Sequence, residues 1–211
     1  MGITSQATRL AGRDAMTAMT MPISDLFSVV TLSDPANRAP SWKALLGWPD
    51  RGDAHLDHHA GTDAQRNLWA SRLDDAVTRS QRPVLLVAEG ESCHATAWWA
   101  RLSPASYVSK VAGALLFAPR GDADTAQKFL SPRVVLPFPS AVVDDHAPRH
   151  ADDLQALAAS WGSRFVEAGP ASLAAPAQEP AWQQAHSLLM RLTANVVDRR
   201  LRVAETLGIR L

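Results

Sequence analysis

The chain has 211 residues, of which 46% are hydrophobic, enough for one domain with a full core but short for two. Its 21 Lys and Arg balance 21 Asp and Glu, and this zero formal charge argues against binding to nucleic acid or to an anionic membrane. The single cysteine, Cys93, excludes an intrachain disulfide, and we expect a reducing, cytoplasmic location. No apolar run is long enough to span a bilayer, and no cofactor is expected.

Apolar and β-branched runs predict about six strands along the chain. These runs occupy 26–32, the weaker stretch 54–59, 82–90, 111–119, 136–145 and 163–169. Most of them are continuous rather than alternating, which is typical of strands buried on both faces of a sheet.

Helical periodicity fills most of the gaps between these strands. Helices are predicted at 42–46, 62–80, 93–102, about 149–162 and about 180–207. In the second of these, Asp63 is the expected N-cap, and the expected buried stripe consists of Leu68, Trp69, Leu73 and Val77. Gly162 is expected to end the fourth helix.

This alternation predicts an α/β fold, a three-layer sandwich with a mostly parallel sheet and helices on both faces. We expect one such domain over residues 23–192, preceded by an N-terminal tail, 1–22. Residues 193–211 are expected to extend the final helix. That helix carries a partial heptad, which fits either docking on its own domain or a homodimer contact.

Four stretches carry a family resemblance over most of the chain. They are VVTLSDPANRAPSWKALL, LLVAEGESCHATAWWA, AGALLFAP followed by LPFPSAVVDDHAP, and ALAASWGSRFVEAGPAS. Together they resemble the small serine hydrolases related to retinoblastoma-binding protein nine, compact members of the α/β-hydrolase fold. The resemblance implies the strand order 2-1-3-4-5-6. It also implies a catalytic serine on the turn after the third strand, where strand, turn and helix form a nucleophile elbow.

The elbow, residues 89–93, departs from the family at its most important position. In the register of the resemblance, Glu89 stands at a family histidine, Gly90 at the serine nucleophile and Ser92 at the second glycine of the turn. Glycine has no side chain and cannot form an acyl-enzyme.

The other catalytic parts are altered as well. Leu173 stands at the position of the catalytic histidine, and the loop Ser33–Ser41 lacks the glycines of the family's oxyanion loop. The acid loop keeps Asp144 and Asp145, either of which fits the triad carboxylate, followed by His146. The leading hypothesis is therefore a degenerate serine-hydrolase homologue, not an enzyme by triad chemistry, that binds a small molecule in the remnant pocket or a protein partner.

Two other hypotheses remain open. The first is an active esterase- or amidase-like hydrolase with Ser92 or Cys93 as a relocated nucleophile, although Cys93 also suits a core position. Its base would come from one of three residues, His94, His146 and His150. The second is an assembly protein that acts through its terminal extensions.

Two polar groups have competing interpretations. Glu89 and Glu91 either make the old pocket acidic, favouring a cationic ligand, or support the N-terminus of the following helix. His55, Asp57 and His59 would share one face of a strand, but without a second ligand cluster we expect a solvated strand end and no metal site.

Overall fold

A computed structural model describes residues 27–34, 53–59, 61–120, 125, 128–129, 135–144 and 151–167. Six strands lie in this part of the chain, as predicted. They are β1 (Ser28–Ser33), β2 (Ala54–Asp57), β3 (Val84–Glu89), β4 (Val111–Phe117), β5 (Ser140–Asp144) and β6 (Arg164–Glu167).

The strands form one sheet in the order β2-β1-β3-β4-β5-β6, and every neighbouring pair is parallel. This confirms the strand order that the resemblance implied. The register aligns Leu32 of β1 with Ala88 of β3, so the residues that follow these two strands meet at the same carboxyl edge. Ligand and catalytic sites of open parallel sheets lie at that edge.

Strand β5 begins later than its apolar run predicted. The run starts at Leu136, whereas the strand starts at Ser140. Pro137 and Pro139 lie between them, and a proline has no N–H to donate to a strand ladder.

Helix α1 spans Asp63–Arg79, and the expected cap at Asp63 is wrong by one residue. Thr62 is the N-cap, since its hydroxyl accepts from the Gln65 N–H while the Gln65 side chain accepts from the Thr62 N–H. This reciprocal pair is a capping box. Leu68 is also a correction, because it is 53% exposed rather than part of the buried stripe.

Three more helices are described: α2 (Ser92–Leu102), the short α3 (Ala105–Val108), which the sequence did not predict, and α4 (Ala151–Trp161). Gly162 ends α4 as predicted, with φ of +65°. The N–H of Gly162 donates to Ala159, and the N–H of Ser163 donates to Ala158. These two bonds form the Schellman pattern that favours glycine.

One contiguous core joins the sheet to α1, α2 and α4. It contains alternate strand residues such as Leu86 and Leu116 together with Leu73, Trp99 and Trp161 from the helices. The strand residues of opposite parity, which point to the other face, are buried as well; examples are Leu85, Val87, Leu115 and Ala141. A sheet buried on both faces explains why its strands read as continuous apolar runs.

Several predictions lie outside the described residues. They are the helices at 42–46 and 180–207, the tail 1–22, the extension 193–211 and the homodimer contact of the final helix. Within the described ranges, no helix has the length and apolar character needed to cross a membrane.

Candidate functional site

The elbow joins β3 to α2 and is fixed by backbone hydrogen bonds. Gly90 donates its N–H to the Phe117 carbonyl at 3.0 Å, which attaches the turn to the end of β4. The Gly90 carbonyl accepts from Cys93 and from Arg120, both at 3.3 Å. Gly90 has φ of +59°, the left-handed region in which a side chain is strained. The turn therefore has the tight strand-to-helix geometry expected of an elbow.

Asp34 occupies the space beside Gly90. This aspartate follows β1, directly across the sheet edge from the end of β3. A Cβ placed on Gly90 would lie 2.5 Å from Asp34 Oδ2 and 3.0 Å from Asp34 Cβ. A side chain at residue 90 is thus opposed both by the backbone conformation and by the Asp34 carboxylate.

The same carboxylate accepts a hydrogen bond from the turn. The Glu91 N–H donates to Asp34 Oδ2 at 3.1 Å. In an elbow of this type, the N–H of the residue after the nucleophile is one donor of the oxyanion hole. In the register of the resemblance that residue is Glu91, and its N–H is held by the Asp34 carboxylate.

Ser92 is fully buried and connects three backbone groups. Its hydroxyl accepts from the Glu89 N–H at 3.0 Å. Its single proton lies between two carbonyls, those of Leu32 at 2.9 Å and Glu89 at 2.7 Å. This arrangement ties the end of β1 to the first turn of α2.

Cys93 and His94 lie in the first turn of α2 and contact different elements of the fold. Cys93 is fully buried, with Sγ 3.5 Å from the Phe117 carbonyl. The His94 ring packs edge-on against Trp161 at 5.3 Å between centroids, and burial lowers the pKa of His94 to about 4. His94 is therefore neutral at physiological pH and belongs to the packing between α2 and α4.

The two elbow glutamates lie in different surroundings. Glu89 ends β3 and is only 3% exposed, whereas Glu91 is half-buried at the N-cap position of α2. The Glu91 side chain makes no capping hydrogen bond at the start of α2.

The acid loop is described only at its start. Asp144 is the last residue of β5 and is 1% exposed, which places one carboxyl group at the carboxyl edge of the sheet. Asp145, His146, His150 and Leu173 lie outside the described residues.

The histidines in and after β2 divide into an exposed and a buried set. His55 Nε2 lies 3.2 Å from Asp57 Oδ1, and a hydrogen bond from Ser33 lowers the pKa of Asp57. Across the described ranges, no group of three or more His, Cys, Asp or Glu is arranged to hold a metal ion. His58, in contrast, is 4% exposed, and burial lowers its pKa to about 4.

Sequence reasoning missed two residues of this edge, Asp34 and His58. Asp34 had a usable signal, because an acidic residue directly after a buried strand lies at the carboxyl edge of a parallel sheet. His58 lies in a short polar stretch and has no comparable signal in the sequence. Its burial against Trp69 and Phe129, at ring separations of 5.3 and 5.5 Å, depends on tertiary contacts.

The parallel sheet, its strand order and the left-handed turn after β3 define an α/β-hydrolase fold. Residues 37–201 match the sequence model of the serine hydrolase family, so the chain belongs to that family. This family membership agrees with the resemblance of the elbow and its neighbouring strands.

Two solved structures are similar to this chain. A protein described as a YdeN-like hydrolase from Pectobacterium atrosepticum has a TM-score of 0.53 and 15% identity, over 82% of this chain and 94% of the other. A protein described as a hydrolase of the alpha/beta superfamily from Xanthomonas campestris pv. campestris has a TM-score of 0.45 and 15% identity, over 79% and 99%. The first of these similarities supports the fold alone. No curated protein matches the sequence.

Proposed function

We propose that this protein is a serine hydrolase family member that has lost acyl transfer at its elbow and acts by binding a ligand or partner. The observation that carries the proposal is the placement of Asp34 against Gly90 and the Glu91 N–H. The resemblance to hydrolases related to retinoblastoma-binding protein nine supplies the register in which Gly90 replaces the nucleophile.

The chemistry of acyl transfer explains why this arrangement opposes catalysis. A tetrahedral intermediate develops negative charge on the substrate oxygen, and removing one oxyanion-hole donor typically slows turnover by about 10²–10³-fold. In this protein the Glu91 donor faces a carboxylate, which would also repel the developing oxyanion. With no hydroxyl at residue 90, the nucleophile and part of its electrostatic support are both missing.

The relocated nucleophiles are less well supported. The single hydroxyl proton of Ser92 lies between two backbone carbonyls, and its oxygen accepts a hydrogen bond from a backbone N–H. Attack of this oxygen on a substrate would break contacts that connect β1 to α2. Cys93 is fully buried with its Sγ beside a backbone carbonyl, which is a core position and not that of an accessible nucleophile. The assembly hypothesis rests on terminal segments outside the described residues, and it stays a prediction together with the cytoplasmic location.

The test is labelling with a fluorophosphonate, read by intact mass on protein shown to be folded by circular dichroism. We expect no adduct on the wild type, while an active serine hydrolase in the same tube is fully labelled. An adduct that disappears in Ser92→Ala would overturn the proposal in favour of a shifted nucleophile. An adduct on another serine, found by peptide mapping and accompanied by ester turnover, would overturn it as well.

The thiol alternative needs a second probe. Native protein is treated with iodoacetamide, and the time course is compared with that of urea-unfolded protein. We expect Cys93 to be protected in the folded state, and rapid native alkylation would contradict the core role that we assign to it.

A further inference from the structure

Three buried polar atoms of neighbouring side chains have no hydrogen-bonding partner among the residues that the structure describes. They are Nε2 of His58, Nε of Arg66 and Nε1 of Trp69. Buried polar groups in native proteins are nearly always satisfied, so unsatisfied groups that lie together require an explanation.

These side chains form one cluster, which we call the His58 cluster: His58, Arg66, Trp69 and Phe129. The His58 ring lies edge-on to Trp69 and tilted against Phe129, and the Arg66 guanidinium carbon is 5.9 Å from the Phe129 ring centroid. His58 and Trp69 are each 4% exposed, and Phe129 is 7% exposed. The unsatisfied atoms therefore belong to the loop after β2 and to α1, and both elements contribute to one aromatic cluster.

The hydrogen-bonding character of the cluster is mostly that of a donor. Arg66 Nε and Trp69 Nε1 each carry an N–H and can only donate. His58 is neutral at physiological pH, and its Nε2 is also a donor in one of the two tautomers. Two groups of opposite charge act on His58: Asp34 raises the pKa of that imidazole, and Lys128 lowers it to a smaller extent. A carboxylate, whose two oxygens both accept hydrogen bonds, matches the N–H donors of Arg66 and Trp69, and the Arg66 guanidinium supplies the opposite charge.

The surroundings also favour an apolar body on the ligand. Phe129 and Trp69 make the cluster aromatic, and Trp98 of α2 packs against Phe129 at 6.2 Å between centroids. A carboxylate attached to an aromatic ring or to a short alkyl chain would place its charge at the N–H donors and its body against these rings.

Arg66 is the most exposed member of the His58 cluster. Its side chain is 17% exposed, and its terminal amine pairs at 2.7 Å with Asp63, which is 88% exposed. Because Asp63 is exposed to solvent, this ion pair is screened and contributes little to holding the Arg66 terminal amine in place.

The cluster adjoins the elbow through the end of β1. The His58 N–H donates to the Ser33 carbonyl at 2.9 Å, and Asp34 follows Ser33 and contacts Gly90 and Glu91. Asp34 is also close enough to oppose the lowering of the His58 pKa. A ligand in the cluster would thus lie beside the remnant site and not in a separate part of the fold.

We propose that the His58 cluster binds a small monocarboxylate, with Arg66 and Trp69 as donors to the carboxylate and the aromatic rings against its apolar body. This names a ligand class for the binding role proposed above and in that respect rests on it. Loss of acylation at Gly90 is tested by the fluorophosphonate, so the two proposals can fail independently.

The experiment measures binding of 4-fluorobenzoate to the full chain by fluorine NMR titration, with 4-fluorobenzyl alcohol as the uncharged match. We expect saturable binding of the carboxylate and at least tenfold weaker binding of the alcohol. Trp69→Phe and Arg66→Lys should each weaken carboxylate binding by about tenfold, because each removes one hydrogen bond to a charged group.

Two matched variants control for the aromatic and basic character of the site. Trp99→Phe changes a buried tryptophan of α2 whose Nε1 already donates to Asp74. Arg79→Lys changes an exposed arginine of α1, the helix that also carries Arg66. Both should stay within twofold of wild type. Absence of saturable binding, equal binding of the alcohol, or equal effects of test and control variants would overturn the inference and leave a buried water as the partner of these groups.

Discussion

Substitution of Gly90 by alanine tests the central contact of the elbow. At φ of +59° the added side chain costs about 1–2 kcal/mol in backbone strain. The new Cβ would also lie 2.5 Å from Asp34 Oδ2, so the carboxylate must move away from the Glu91 N–H. Losing that charge-assisted hydrogen bond adds about 1.5–3 kcal/mol. We expect Gly90→Ala to lower the free energy of unfolding by about 2.5–5 kcal/mol.

A double-mutant cycle with Asp34→Ala isolates the part of the Gly90→Ala destabilisation that comes from the clash with Asp34 and from the lost hydrogen bond. Asp34→Ala removes the same hydrogen bond, about 1.5–3 kcal/mol, and also removes the atoms that obstruct a Cβ at residue 90. The double variant should therefore lose about 1.5–3 kcal/mol less than the sum of the two single variants. Other contacts of Asp34 are lost in both the single and the double variant and cancel in the cycle.

The assay is urea unfolding followed by tryptophan fluorescence, with the slope on denaturant compared across the four proteins. The reasoning is refuted if Gly90→Ala costs less than about 1 kcal/mol, or if the two substitutions are additive within about 0.5 kcal/mol. Either result would mean that Asp34 does not hold the space beside Gly90.

Three further predictions concern stability. In urea unfolding of the ligand-free protein, Trp99→Phe should cost about 1 kcal/mol more than Trp69→Phe. The reason is that Trp99 Nε1 donates to Asp74, whereas Trp69 Nε1 has no hydrogen bond to lose within the described part of the chain. Ser92→Ala should cost about 1–3 kcal/mol by the same assay, since it leaves buried backbone groups unsatisfied, whereas the exposed Ser71→Ala should cost under about 0.5 kcal/mol. Burial lowers the pKa of His94 to about 4, below the unfolded value of 6.5, so the unfolded state binds the proton first and stability falls as pH drops from about 6.5 towards 4. His94→Gln should remove part of that slope in unfolding curves collected at several pH values.

Each of these predictions has an outcome that contradicts it. Equal losses in the two tryptophan variants would show that the Trp69 N–H is satisfied in the ligand-free protein. A neutral Ser92→Ala would remove the structural role of that hydroxyl and reopen its role as a nucleophile. An unchanged pH slope in His94→Gln would mean that His94 is accessible to protons in the folded protein.

The sequence by itself determined the architecture. The continuous apolar runs predicted strands buried on both faces, and their alternation with helical periodicity predicted a parallel sheet, because parallel strands require crossover connections. The elbow could also be placed from sequence, since a strand, a glycine turn and a helix follow one another within a few residues. Local errors, such as Thr62 rather than Asp63 at the start of α1, arose because two adjacent residues are both good caps and only the hydrogen bonds distinguish them.

Only the tertiary structure decided what surrounds Gly90. Asp34 is 56 residues away in sequence and reaches the elbow because β1 and β3 are paired in register, a contact that local periodicity does not encode. The His58 cluster arises in the same way, from a loop after β2, one face of α1 and the distant Phe129. Local sequence sets the conformation of each element, whereas the partners of buried polar atoms are set by the packing of elements far apart in the chain.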